Sequence, residues 1–156
     1  VPPTVYRDGP LGLGSVQYYV STKASNHYFN FRYDKRDASK HVAIFDYIIN
    51  NADRKGSHVV CDDHGEIWLL DHGICFHEEY KLRTVIWDFA GEPLPAGLIA
   101  DLRSLADSLC ADESAAVAEL IDARELEALR QRVSGLLEDP RMPHARSRHD
   151  LPWPRL

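Results

Sequence analysis

The sequence predicts an α+β fold that is mainly helical and contains one small β-hairpin. Residues 39–49 and three stretches nearer the C-terminus carry apolar side chains at spacings of three and four, which is typical of amphipathic helices. Residues 59–61 and 67–70 are short apolar runs on either side of a turn that contains Gly65, which is typical of a hairpin. We expect this hairpin to pack against the helix of residues 39–49.

Turn signals and one short strand account for the N-terminal part of the chain. Residues 2–3 are prolines and residues 9–14 are rich in glycine, so both segments predict turns. Residues 16–20 combine aromatic and β-branched side chains and predict a strand. Ser39 is the expected N-cap of the helix that follows. Residues 50–58 contain Asn, Asp and Gly and predict a loop.

The C-terminal part of the chain predicts three helices and then a tail. The apolar stripes of these helices run through residues 98–109, 115–121 and 126–137. From Asp139 onward the chain is rich in Pro and Arg and shows no periodicity. This composition predicts a tail or a loosely docked extension.

Composition and charge exclude several classes of protein. The chain has 156 residues, which suggests one domain or part of one, and a net charge of −6. This charge gives no general attraction to nucleic acid or to anionic membranes, so we expect no nucleic-acid partner. No apolar run approaches the ~20 residues of a membrane span. Three cysteines without a paired framework are typical of a reducing compartment, and we expect a cytoplasmic protein.

The loop of residues 50–58 and the end of the predicted hairpin carry the parts that phosphoryl transfer needs. A carboxylate orients the attacking hydroxyl, a cation neutralises the moving phosphoryl group, and oxygen ligands hold Mg²⁺ on the nucleotide phosphates. Asp53 opens the loop, Lys55 follows it, and Asp71 begins an Asp-x-Gly sequence directly after the hairpin. Helix, loop, hairpin and Asp-x-Gly come in the order found in protein kinases. The combination at this spacing predicts a phosphotransfer site.

The residues of this region also resemble a particular family. The stretch "FDYIINNADRKGSHVV…GEIWLLDHGICF" is similar to the catalytic half of phosphatidylinositol 3-/4-kinase-like proteins. The pattern is nearest to type II phosphatidylinositol 4-kinases, in which D-Y-I-I-x-N-x-D-R-G precedes D-N-G. Upstream, "GSVQYYV" resembles the hinge strand that contacts adenine in that family. The matches cover about residues 12–76, and the whole chain resembles a bacterial branch of the family.

This resemblance implies the C-terminal, mainly helical lobe of a protein-kinase-like fold, with ATP as the phosphate donor and Mg²⁺ as the metal. Asp53 matches the catalytic aspartate and Asp71 the metal-binding aspartate, while Lys55 matches a position that contacts phosphate. The hinge positions are Tyr18, Tyr19 and Val20. His58 occupies the place of a metal-binding Asn. Since imidazole suits Mn²⁺ better than Mg²⁺, His58 predicts either a metal ligand with Mn²⁺ use or a residue that hydrogen-bonds within the loop.

The resemblance also divides the chain. Residues 1–20 match the end of an N-terminal lobe and its hinge strand, residues 21–138 match the C-terminal lobe, and residues 139–156 form the Pro/Arg-rich tail. The glycine-rich stretch "RDGPLGLGS" lies directly before the hinge and leaves no room for the lysine-bearing strand of a kinase N-terminal lobe. We therefore expect that lobe to be missing from this chain, and the chain alone to hold ATP weakly and to be inactive.

Three classes of function stay open at this point. The first is an ATP-dependent phosphotransferase whose acceptor is a protein, a small molecule or a lipid. The second is a pseudokinase that binds a nucleotide without transferring phosphate, which the altered residues His58 and His72 favour. The third, a metal-dependent phosphohydrolase, lacks the usual ligand spacing and ranks last. Arg54 and Lys55 could equally face solvent.

Overall fold

The computed structural model describes residues 1–111 and 115–156 and confirms an α+β protein. Among these residues, no helix is both long and apolar enough to span a membrane. Two single turns of 3-10 helix lie at Gly56–His58 and Arg148–Asp150. The strands are β1 (Thr4–Gly9), β2 (Gly12–Gln17), β3 (Val59–Cys61) and β4 (Ile67–Leu69), and the helices are α1 (Tyr28–Phe31), α2 (Arg36–Ile49), α3 (Ala96–Cys110), α4 (Ala115–Ala118) and α5 (Ala123–Glu138).

Helix α5 organises the helical half of the molecule. It packs against α2, α3 and α4. Two of its arginines also bind the ends of neighbouring helices: Arg130 donates to the Leu109 carbonyl at 2.8 Å, and Arg132 donates to the Ile48 carbonyl at 2.7 Å. These carbonyls have no partner within their own helices, so the arginines act as C-terminal caps. The buried face of α5 consists of the predicted residues Leu126, Leu129, Val133 and Leu136.

Helix α2 starts three residues before the predicted position. Its N-cap is Lys35, which makes no side-chain capping bond, so the prediction of Ser39 as N-cap is wrong. Ser39 lies inside the helix and its hydroxyl donates to the Arg32 carbonyl at 3.2 Å. Arg32 lies in the turn of residues 32–35 that precedes α2, and the sequence pattern did not predict this turn. The helix ends at Asn50, which adopts the left-handed conformation with φ of 53°.

The predicted hairpin at residues 59–70 is confirmed as β3 and β4. The strands are antiparallel, with Val59 opposite Leu69. Asp62 holds the turn: one carboxylate oxygen accepts the backbone N–H of Glu66 at 2.9 Å, and the other accepts the indole N–H of Trp68 at 2.9 Å. Ile67 and Leu69 pack against the same apolar core as α2.

A second hairpin, formed by β1 and β2, contradicts the prediction of one hairpin and of a strand at residues 16–20. Strand β2 ends at Gln17, so Tyr18, Tyr19 and Val20 lie outside it. The glycine-rich segment is the tight connection itself, and Gly12 adopts a φ of 97° that suits glycine. The hairpin stands away from the core, and its exposed apolar side chains are Val5, Tyr6, Leu11, Leu13 and Val16.

The C-terminal part differs from its prediction in two places. The helix predicted over residues 115–121 is one turn only, α4, followed by a turn at residues 119–120. Residues 139–156 have no long helix or strand, but they are not loose. Met142 and Asp150 are buried, and the backbone pairs with Glu92 through a 2.8 Å hydrogen bond from Met142 N–H. Composition alone did not reveal these contacts.

Candidate functional site

Two asparagines turn the chain out of α2 and fix the start of the site. The Asn50 amide donates to the carbonyls of His77 and Glu79 at 2.8 and 2.7 Å, and its oxygen accepts the Lys81 N–H at 2.9 Å. Asn51 accepts the N–H of Asp53 at 3.0 Å. Both side chains are buried. The Asn50 amide bonds only to backbone that would otherwise lack partners, whereas the Asn51 amide also donates to Oδ1 of Asp46 at 3.1 Å. They hold Asp53 and the segment after the Asp-x-Gly sequence in one place.

Arg54 forms the centre of this arrangement. Its side chain is fully buried and contacts both oxygens of Asp46, with Nε at 3.0 and 2.9 Å. Its Nη1 donates to the Leu70 carbonyl at 2.6 Å, and its Nη2 contacts Nε2 of His72 at 2.8 Å. The alternative of a solvent-facing Arg54 is therefore wrong. An aspartate inside the apolar α2 pattern was the signal in the sequence, because a buried carboxylate needs a partner.

The ionisation states of Asp46 and His72 follow from their burial and from their contacts with Arg54. Burial raises the pKa of Asp46, and the guanidinium of Arg54 and the amide of Asn51 oppose that rise. Burial and then Arg54 lower the pKa of His72 to about 4. Since a guanidinium can only donate, Nε2 of His72 accepts and the imidazole is neutral at pH 7. His72 is thus a hydrogen-bonding residue of the interior, in agreement with its short contact to Arg54.

Asp53 points away from this interior. It is partly exposed, and its Oδ2 lies 2.9 Å from Nζ of Lys55. The structure therefore brings the predicted catalytic residue and its predicted phosphate-contacting neighbour together. The backbone next to them is fixed as well, because Arg54 N–H donates to the Arg83 carbonyl at 2.9 Å and Gly56 N–H donates to the Arg155 carbonyl at 2.8 Å.

His58 and Asp71, the two predicted metal ligands, also face each other. Nε2 of His58 lies 3.6 Å from Oδ2 of Asp71, which is the spacing of two groups that could share one ion at ~2.1 Å from each. Burial lowers the pKa of His58, with the Asp71 carboxylate acting in the opposite sense. Within the described residues, Nδ1 of His58 is buried without a hydrogen-bond partner. The same part of the chain contains no cluster of three or more His, Cys, Asp or Glu side chains that could hold a metal.

The predicted hinge residues lie at a different cleft. Tyr18 and Val20 line a cavity of about 490 Å³ together with the turn of the β3–β4 hairpin. The ring of Tyr18 lies 6.5 Å from that of Trp68 on β4. Tyr19 is 83% exposed and does not line this cavity. Asp53 and Asp71 do not line it either, so the structure groups the predicted site residues into three sets: Asp53 with Lys55, His58 with Asp71, and Tyr18 with Val20.

The C-terminal segment supplies a part of the site that the sequence pattern did not predict. Thr84 N–H donates to the Asp150 carbonyl at 2.9 Å, and Tyr80 donates to the Asp150 carboxylate at 3.0 Å. Together with the bond from Gly56 to Arg155, these contacts place residues 148–155 beside Asp53. The only signal in the sequence was the concentration of Arg and aromatic side chains near the C-terminus.

Comparison with known proteins gives a relative but no established family. The chain is 44% identical over 115 residues to Protein Rv2133c of Mycobacterium tuberculosis. The alignment covers 74% of this chain and 41% of that relative, so the chain spans less than half of the relative's length. No family model matches the chain, and no solved structure matches it.

Proposed function

We propose that the chain is the catalytic C-terminal lobe of an ATP-dependent phosphotransferase of the kinase-like type. Asp53 orients the acceptor hydroxyl and takes its proton, and Lys55 contacts the moving phosphoryl group. Asp71 and His58 hold the metal, with phosphate oxygens and water completing its coordination. Tyr18, Tyr19 and Val20 form the adenine side of the site.

The observation that carries this proposal is the set of contacts made by Arg54. It follows Asp53 directly in the chain, and it binds the carbonyl of Leu70, which directly precedes Asp71. One buried side chain therefore connects the backbone beside both carboxylates. Phosphoryl transfer needs a base and a metal ligand at fixed relative positions, because catalysis depends mainly on positioning and charge.

The exposed β1–β2 hairpin supports the nucleotide-binding part of the proposal. Val5 and Val16 pair across the two strands and are 57 and 52% exposed. Exposed apolar side chains that adjoin on one face are a candidate interaction surface. An N-terminal lobe packed on this face would cover them.

Measurement of phosphate transfer from ATP by the intact protein, with Mg²⁺ and with Mn²⁺, tests the assignment. Asp53→Asn should reduce transfer by ~10²–10⁴-fold while nucleotide binding persists, because the positioned base is lost. Asp71→Asn should weaken metal-dependent nucleotide binding as well. Asp101→Asn, at an exposed position on α3, is the matched control and should behave like wild type. Wild-type turnover in Asp53→Asn would contradict the assignment.

A pseudokinase is the second candidate, and one observation favours it. The amino group of Lys55 lies 2.9 Å from Oδ2 of Asp53, so the carboxylate already has a cation as its partner where an acceptor hydroxyl would bind. A pseudokinase would bind ATP without any turnover. A phosphohydrolase would instead release phosphate from substrates without a nucleotide donor.

A further inference from the structure

The C-terminal segment forms a basic pocket against the candidate catalytic loop. Its volume is about 580 Å³. Asp53 contributes a carboxylate, and Trp153 contributes an indole ring that is 88% exposed. The basic side chains that line it are Arg83, Arg148, His149 and Arg155.

The three arginines of this pocket lack partners within the described residues 1–111 and 115–156. Six arginines of the described residues pair with carboxylates, as Arg36 does with Glu92. The side chains of Arg83, Arg148 and Arg155 form no salt bridge or hydrogen bond there, and they differ from other unpaired arginines in lining one pocket. All three are exposed. Three guanidinium groups and one carboxylate, Asp53, line this pocket, so it is locally positive although the chain has a net charge of −6. An anion would be attracted to it.

The pocket is fixed in place on both sides. On one side, Asp150 accepts hydrogen bonds from Tyr80 and, through its carbonyl, from Thr84. On the other side, the Arg155 carbonyl accepts the N–H of Gly56 at 2.8 Å, two residues after Arg54. Because the backbone is already positioned, a ligand would not have to order the segment, and less binding free energy would be lost.

We propose that this pocket binds the phosphate group of the acceptor, a hydroxyl-bearing phosphate compound, and so brings its hydroxyl to Asp53. Guanidinium groups suit phosphate because their planar donors bind two oxygens at once. The role of Asp53 here rests on the proposed function. In the step, the hydroxyl oxygen bonds to the γ-phosphorus of ATP, the bond from that phosphorus to the ADP oxygen breaks, and the hydroxyl proton passes to Asp53. The product carries one phosphate group more than the acceptor.

Calorimetric titration of inorganic phosphate and glycerol 3-phosphate, without nucleotide, tests the pocket. We expect saturable binding to wild type and a Kd at least about tenfold weaker in Arg148→Gln/Arg155→Gln, because two charge-assisted contacts are lost. The matched control, Arg7→Gln/Arg103→Gln, removes the same charge at exposed positions outside the pocket and should leave the Kd unchanged. Arg83→Gln should also weaken binding, because Arg83 lines the same pocket. Thermal unfolding of each variant verifies that it is folded.

Vesicles of phosphatidylcholine and phosphatidylglycerol distinguish a soluble acceptor from a lipid headgroup. Weaker binding of glycerol 3-phosphate in the double variant identifies a soluble phosphate compound, and loss of vesicle binding alone identifies a headgroup. Equal effects in the double variant and its control, or no binding of any of these probes, would overturn the proposal. Because phosphate binding is measured without ATP, the pocket can be confirmed even if the protein transfers no phosphate from ATP. If phosphate transfer requires Asp53 but is unchanged in the arginine variants, the phosphate-binding role of the pocket is refuted and the proposed function is not.

Discussion

At the scale of single residues, the guanidinium of Arg54 is the group on which the candidate site depends most. It is fully buried with Asp46, and it also binds a backbone carbonyl and His72. A buried ion pair need not add net stability over apolar residues, because both charges lose their hydration. Removal of one partner is different, since it leaves the other charge buried and unpaired.

Arg54→Met should therefore lower the free energy of unfolding by about 3–5 kcal/mol. Methionine fills similar space but removes the guanidinium that donates to the Asp46 carboxylate and to the Leu70 carbonyl. Urea denaturation followed by circular dichroism measures the change. Arg103→Met, at an exposed position of α3, serves as the control. If Arg54→Met lowers the free energy of unfolding by less than about 1 kcal/mol, the Arg54–Asp46 pair does not hold the candidate site together.

At the scale of elements, the start of α5 is specified by local sequence. Asp122 accepts the N–H groups of Arg124 and Glu125 at 2.8 and 2.9 Å, and the Glu125 carboxylate accepts the N–H of Asp122 at 2.9 Å. This reciprocal arrangement is a capping box, which satisfies donors that have no partner within the helix. Since α5 packs against both α2 and α3, its first turn helps to fix the helical half of the molecule.

Asp122→Ala should lower the free energy of unfolding by about 1 kcal/mol, because the cap is lost while the buried face of α5 is unchanged. Differential scanning calorimetry detects this as a lower Tm. Asp101→Ala removes an exposed carboxylate within α3 and should have a smaller effect. If both variants lose the same stability, the capping box does not determine where α5 begins.

At the scale of the whole molecule, the C-terminal segment closes the fold over the candidate site. Burial acts to raise the pKa of Asp150, but hydrogen bonds from the Arg146 N–H, Tyr80 and Ser147 outweigh it and lower that pKa. The guanidinium of Arg146 also lies 3.7 Å from the centre of the Tyr80 ring. A single carboxylate thus joins the segment to the loop that follows the Asp-x-Gly sequence.

The pH dependence of this contact has a definite sign. Because the pKa of Asp150 is lower in the folded state than in the unfolded state, its stabilising effect is present above about pH 4 and is lost as pH falls through the folded pKa. Asp150→Asn should lower the free energy of unfolding by about 1–3 kcal/mol at pH 7. The difference from wild type should shrink below about pH 4. Asp8→Asn, at an exposed position of β1, is the control, and a difference that stays constant with pH would refute the role of the carboxylate.

The sequence pattern was sufficient to predict the α+β class, the β3–β4 hairpin and the helices α2, α3 and α5. Each depends on local periodicity or on turn residues, and these act within a few positions of the chain. It also predicted Asp53 with Lys55 as catalytic residues and His58 with Asp71 as metal ligands, and the structure brings each pair into contact. The glycine-rich N-terminal hairpin was missed because its strands show no alternation of apolar and polar residues, and none of their side chains is buried in the core.

Only the tertiary structure decided that Arg54 is buried and that residues 148–155 reach the candidate catalytic loop. Both outcomes depend on partners distant in sequence: Asp46 and Leu70 for Arg54, and Gly56 for Arg155. Periodicity cannot reveal such contacts, because a charged side chain in a loop looks the same in the sequence whether it meets solvent or a buried carboxylate. The difference lies in desolvation, which is set by everything that packs around the group and not by its neighbours in the chain.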